Sequence, residues 1–130
     1  MVNHGIFSYL DGDKTMLRLY GIPNCDTIRK TKKLLDRHGI PFQFIDVRAT
    51  PLSPGKLKEI SDRLGLMKLI NTRGRTYRDL GIKEKSLSDD QLLDILQQNQ
   101  AMIKRPLLEN NNNYFIGYDE QGLLDFARLV

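Results

Sequence analysis

The sequence predicts an α/β domain with a mixed four-stranded sheet and an inserted helical segment. Three observations predict it. A strand, a turn, a helix and a second strand succeed one another between residues 16 and 47. Capped amphipathic helices occupy the stretch around residues 53–98, and two short apolar runs with a closing helix fill the remainder. Strand–helix–strand at this spacing is a right-handed βαβ unit, and 130 residues are one domain's length of chain.

The elements follow in order. Residues 1–15, broken by Gly5 and Gly12, read as a loosely ordered extension, and residues 16–130 as the domain. Met16–Tyr20 (MLRLY) is a strand candidate, closed by the turn residues Gly21, Pro23 and Asn24. From Asp26 to His38 neither Gly nor Pro intervenes, and Ile28, Thr31, Leu34 and Leu35 gather on one face of a helix that Gly39 ends. Phe42–Val47 is the next strand. Ser53 and Pro54 cap a second helix with an apolar stripe of Leu57, Ile60 and Leu64.

Residues 66–86 are irregular, with short helical turns expected around Leu69 and Arg78–Leu80. Ser88 and Gln91 form a capping box for a helix running to Gln98. The apolar runs Ile103–Leu108 and Tyr114–Gly117 flank a polar tract, Glu109–Asn113, which reads as a hairpin loop. A last helix spans Glu120–Leu129. The order β-α-β, helices, β-β-α is the thioredoxin-like, or glutaredoxin-like, pattern.

Composition narrows the function. Apolar residues at 40% and charged residues at 28% are an ordinary globular mixture. A net charge of +4 suits anionic small molecules or an acidic protein surface and does not call for nucleic acid. The basic face Lys30, Lys32, Lys33 and Arg37 is accordingly read as solvent-facing. One cysteine excludes a disulfide framework within the chain. No apolar run reaches the roughly 18 residues of a membrane span, and the start lacks a signal-peptide pattern, so a cytoplasmic protein is expected. His4 and His38 lie far apart without soft ligands nearby, so no metal site is expected.

The chemistry centres on Cys25. It stands between a strand and a helix, in Tyr-Gly-Ile-Pro-Asn-Cys-Asp-Thr-Ile-Arg-Lys. There the amides of the first helical turn and the helix dipole favour a thiolate, which is the nucleophilic form. Arg29 and Lys30 add positive charge one turn on.

Gly21–Lys30 resembles the signature of the ArsC arsenate reductase / Spx / YffB family. Leu69-Ile70-Asn71-Thr72-Arg73-Gly74, Tyr77–Gly81 and Ile103-Lys104-Arg105-Pro106-Leu107 resemble its later motifs in order and spacing, so the likeness covers residues 16–129. The YffB-like branch, described as glutathione-dependent thiol reductases, is most similar. The resemblance implies that Cys25 is the catalytic cysteine and that Arg105 holds an oxyanion and lowers the thiol pKa. It implies that Pro106 is cis and faces the cysteine loop. It also places Arg73 in the site; with Asn24, Thr27 and Arg29 beside Cys25, and with Arg105 and Pro106, it makes up the expected substrate-binding set, while Arg75 and Arg78 are read as surface charges.

Three departures shape the expectation. Asn71 stands where the family's arsenate reductases carry an arginine, and no arginine lies between Arg105 and Arg128 to supply a third. Asparagine does not replace the charge or the fork of arginine, which argues against arsenate as substrate. Ile28 fills the fourth position of the Cys-x-x-Cys switch of Spx regulators, so an internal disulfide is impossible. The expected function is a single-cysteine thiol oxidoreductase with no bound cofactor, resolved by glutathione or another small thiol, with glutaredoxin able to complete the cycle. The alternative is an Spx-like regulator that binds RNA polymerase.

Overall fold

A computed structural model describes residues 16–128, so the expected extension at residues 1–15 and the end of the last helix at Leu129 lie outside the described residues. The first unit comprises β1 (Leu17–Gly21), α1 (Asp26–Arg37) and β2 (Phe42–Asp46). The inserted helices are α2 (Pro54–Leu64), α3 (Arg75–Asp79) and α4 (Asp89–Gln98), and the chain ends with β3 (Leu107–Asn110), β4 (Asn113–Ile116) and α5 (Glu120–Ala127). Single turns of 3-10 helix lie at Leu66–Leu69, Ile82–Glu84 and Gln100–Met102.

The sheet order is β2-β1-β3-β4. β1 runs parallel to β2 and antiparallel to β3, and β3 is antiparallel to β4. The alternation of LRLYG divides the core. Leu17 and Leu19 pack with Ile28, Leu34 and Leu35 of α1, Leu108, and Leu123 of α5. Tyr20 faces the other way, toward Leu57 and Ile60 of α2, Leu96 of α4, and Leu107. Each sheet face is thereby covered by helices, the thioredoxin-like arrangement.

The polar tract Glu109–Asn113 is not a loop, and this corrects the sequence reading. Glu109 and Asn110 belong to β3 and Asn113 to β4, leaving a two-residue turn at Asn111 and Asn112. Both have positive φ, 52° and 66°, a backbone that asparagine tolerates and that two-residue hairpins of type I′ require. Polar side chains can occupy β3 because they find buried partners. The Asn110 amide donates to the Phe126 carbonyl at 3.1 Å. The apolar run before β3 is corrected likewise. Ile103 makes an isolated bridge with Ile70, and β3 begins only after Pro106.

Glu109 is 4% exposed and joins three elements. Its Oε1 accepts from the Tyr20 hydroxyl at 2.6 Å, its Oε2 from Lys56 Nζ at 2.8 Å, and Arg18 lies 3.5 Å away. Lys56 sits in the first turn of α2, so one carboxylate fastens that helix to β1 and β3. Burial raises the Glu109 pKa, but Lys56, Tyr20 and Arg18 outweigh it and hold the carboxyl below its ordinary value. The Tyr20 phenol is pushed up by burial and by the same carboxylate.

Gln100 makes a second long-range fastening. Its Oε1 accepts from Leu52 N at 2.8 Å and its Nε2 donates to Leu52 O at 3.0 Å. The segment after β2 is thus bound to the turn that precedes Arg105.

Replacing Glu109 with Gln should destabilise the fold by about 1.5–3 kcal/mol at pH 7, the loss of charged hydrogen bonds to a buried group, measured by urea unfolding. The native pKa lies below the unfolded one, so the carboxylate's contribution is complete above about pH 4.3 and disappears as pH falls through the native value. The gap between wild type and E109Q should therefore narrow in acid.

Candidate active site

The end of β1 fixes where α1 begins. Val47 N donates to Gly21 O at 3.0 Å, which closes the last rung beside β2. A Cβ built on Gly21 would stand 2.3 Å from the Ile28 side chain, so the helix lies directly on glycine backbone. Ile22 is buried, Pro23 and Asn24 are exposed, and Cys25 takes the N-cap of α1 in an extended conformation (φ −132°, ψ 123°). Its carbonyl accepts from Arg29 N at 3.0 Å and starts the helix. The partly buried thiol packs against the apolar clusters of both sheet faces.

Burial works against a charged sulfur here. The backbone N–H of Ile28, the Arg105 guanidinium and the N–H of Thr27 outweigh it, and the thiol lies below its ordinary pKa. The sulfur has no side-chain cap bond of normal geometry, so the amides act on it through their dipoles.

Arg105 is held from behind. Its Nη1 donates to the Ala101 carbonyl and, at 3.1 Å, to the Ile103 carbonyl. Its Nε is buried and has no hydrogen-bond partner among the described residues. The Arg105–Pro106 peptide bond is cis, and Pro106 is buried.

An open recess of about 180 Å³ adjoins this arginine. Ile22, Arg48, Asn71, Arg75, Tyr77 and Arg105 are among the residues that line it. Asn71 builds its wall through the backbone as well. Its N–H donates to Met102 O at 2.9 Å, its side-chain oxygen accepts from Arg73 N at 3.3 Å, and its carbonyl from Gly74 N at 3.1 Å. At Gly74 a Cβ would come within 2.8 Å of the Asn71 amide nitrogen, so glycine is needed where this turn launches α3 and Arg75.

The structure brings Cys25 and Arg105 together with the Thr27 amide, and Pro106 follows Arg105 through the cis bond. Asn24 is exposed beside them. Arg29 is paired instead with Asp26 in an exposed ion pair. Arg73 is exposed and does not line the recess; its carbonyl accepts from Arg78 Nη1 at 2.8 Å. Arg75, read as a surface charge, lines the recess, and so does Arg48, which the sequence reading passed over. A signal for Arg48 existed. It follows the carboxyl end of a parallel strand, where open α/β sheets bind ligands.

Among the described residues no three His, Cys, Asp or Glu side chains gather as a metal site, and no helix is long and apolar enough to cross a membrane.

Comparison with known proteins agrees with this geometry. The ArsC family model matches residues 20–126. The global transcriptional regulator Spx of Listeria innocua is 31% identical over 113 residues, which cover 85% of this chain and 86% of that protein. The solved structure of a YffB protein superposes with a TM-score of 0.79 at 27% identity, covering 85% of this chain and 97% of its own. An arsenate reductase from Vibrio cholerae gives a TM-score of 0.75 at 27% identity, with 85% and 97% covered. With a family model that matches most of its length and a relative at 31% identity, the chain belongs to the ArsC family, with a thioredoxin-like fold.

Proposed function

We propose that the protein is a thiol oxidoreductase that uses Cys25 as its only sulfur nucleophile and glutathione as the resolving thiol. The observation that carries this reading is a helix-capping cysteine with a lowered pKa, facing an arginine fixed by two carbonyls. The chain has one cysteine, so resolution must come from outside.

The step balances as two exchanges. The Cys25 thiolate attacks the glutathione sulfur of a mixed disulfide, R–S–S–G, forming Cys25–S–S–G and releasing R–S⁻, which takes a proton from water. A glutathione thiolate then attacks the glutathione sulfur of the adduct, restoring the Cys25 thiolate and forming glutathione disulfide. Two electrons pass from glutathione to the substrate. A reducing compartment such as the cytoplasm supplies that thiol, and glutaredoxin could recycle the product.

Arsenate fits less well. Its reduction needs fixed positive donors where charge builds on the oxyanion. Arg105 is anchored, whereas the Asn71 side chain is neutral and engaged in its own turn. Arg48 and Arg75 are exposed, and among the described residues no carbonyl anchors either guanidinium. The relative named as a global transcriptional regulator supports a second reading, a transcriptional regulator, with RNA polymerase as its proposed partner. Ile28, at the position of the second switch cysteine, is fully buried against Gly21, so that version would lack a redox switch.

Iodoacetamide alkylation of Cys25 should show a midpoint below the free-thiol value of about 8.5, and Arg105→Ala should raise it. The same variant should slow disulfide exchange about tenfold to a hundredfold, the loss of one charge-assisted contact. An unchanged profile and rate would remove Arg105 from the mechanism.

Incubation with glutathione disulfide should give a glutathionyl adduct visible by intact mass, absent in Cys25→Ser and released by free glutathione. If no adduct forms while the protein is retained by the polymerase α subunit, the regulator reading replaces this one.

Arsenate turnover with glutathione and glutaredoxin should run at least about 10²-fold below turnover of a glutathione mixed disulfide, the cost of one missing oxyanion donor. Comparable rates would overturn the substrate assignment.

A further inference from the structure

We propose that Arg48 and Arg75 turn the recess beside Arg105 into a carboxylate-binding subsite that selects an acidic peptide thiol, of the glutathione class, over neutral small thiols. The inference rests on the reading of Cys25 as a nucleophile served by an external thiol.

The recess carries three guanidiniums, from Arg48, Arg75 and Arg105, and among the described residues no Asp or Glu lines it. The Asp46 carboxylate accepts from the Arg48 backbone N–H at 2.9 Å, and among the described residues no ion pair joins it to the Arg48 guanidinium. Among the described residues Arg75 has one ion-pair partner, Asp79 at 3.9 Å, and both side chains are largely exposed. That contact is too long and too wet to hold the arginine. The Arg105 Nε is buried without a partner among the described residues, so what Arg105 offers the recess is its charge. Arginine forks match carboxylates in two-point geometry.

Size and position narrow the ligand. About 180 Å³ is several times the space of one water, yet smaller than the pockets of about 300–1,000 Å³ that engulf a whole small molecule. The recess therefore takes one carboxylate-bearing residue of a peptide and leaves the rest outside. Ile22 and Met102 provide an apolar floor for its aliphatic part. Arg105 belongs both to this wall and to the surroundings of the Cys25 sulfur, so a peptide anchored here presents its own sulfur to Cys25. A small neutral thiol makes none of these contacts.

The test separates binding from chemistry. The probe is S-methylglutathione, which keeps both carboxylates and cannot exchange disulfides, compared with its diethyl ester. Both are titrated into the full chain and followed by amide NMR shifts. S-Methylglutathione should bind saturably, with shifts centred on residues 71–77 and Ile22, and the ester should bind far more weakly. The double variant R48Q/R75Q should weaken the acid about tenfold and leave the ester unchanged. Added salt should weaken the acid more in wild type than in the variant. The spectra report folding directly, and the single variants serve if the double does not fold. Equal affinity for acid and ester, or equal affinity of wild type and variants for the acid, would overturn the subsite. Glutathionyl adduct formation at Cys25 is scored by intact mass in parallel samples of the same proteins incubated with glutathione disulfide. Adduct without selective binding ends this inference and spares the proposed function; selective binding without adduct does the reverse.

Discussion

Everything at the site depends on how closely α1 approaches the sheet. Ile28 lies on Gly21 where any side chain would collide, and that contact sets the height at which the helix starts above the strand end. One turn earlier, the same helix places Cys25 at its N-cap, at the seam between the two apolar clusters. The first amides of α1 are thereby turned toward a sulfur that is neither immersed in the core nor free in solvent. A side chain at position 21 would press first on the Ile28 side chain that seats the helix start, while Arg105 is positioned separately by the turn at Gln100–Met102. Reactivity follows here from packing before it follows from charge.

The arginines differ in how they are held. Arg105 is half-buried and tied to two carbonyls, so its charge is in place before any substrate arrives. Arg48 and Arg75 are exposed and keep their rotamer freedom. Fixed charge is suited to tuning a thiol, and mobile charge to catching and releasing a ligand. Glu109 makes the contrast plain. Its carboxylate is buried with Lys56, Tyr20 and Arg18 already in contact, and its work is to fasten helix to sheet.

Much of this was legible in the sequence, for physical reasons. Regular periodicity located β1, α1, β2, α2 and α4, and the Ser53 and Ser88 caps form as their spacing indicates. The place of Cys25 between strand and helix was evident because a turn cluster and an uninterrupted amphipathic run bracket it. Local pattern failed where distant partners decide the outcome. Glu109 and Asn110 look like loop residues until Lys56, Tyr20 and Phe126 are brought to them from elsewhere in the chain. Arg73 carried the motif, but the turn built on Asn71 and Gly74 puts Arg75 in the recess wall instead. Arg48 had no motif at all. Its role comes from the sheet's topology and from a glutamine 52 positions away.

That glutamine changes what kind of object the recess is. Gln100 answers both the N–H and the C=O of Leu52, as a neighbouring strand would, so a stretch that is a loop by sequence is bonded into the frame. The segment bearing Arg48 and the turn supporting Arg105 are therefore two sides of one bracket. Two main-chain hydrogen bonds from one side chain join them, so neither segment hangs free of the frame. A ligand entering such a bracket has little main chain to immobilise, and loses correspondingly less entropy on arrival.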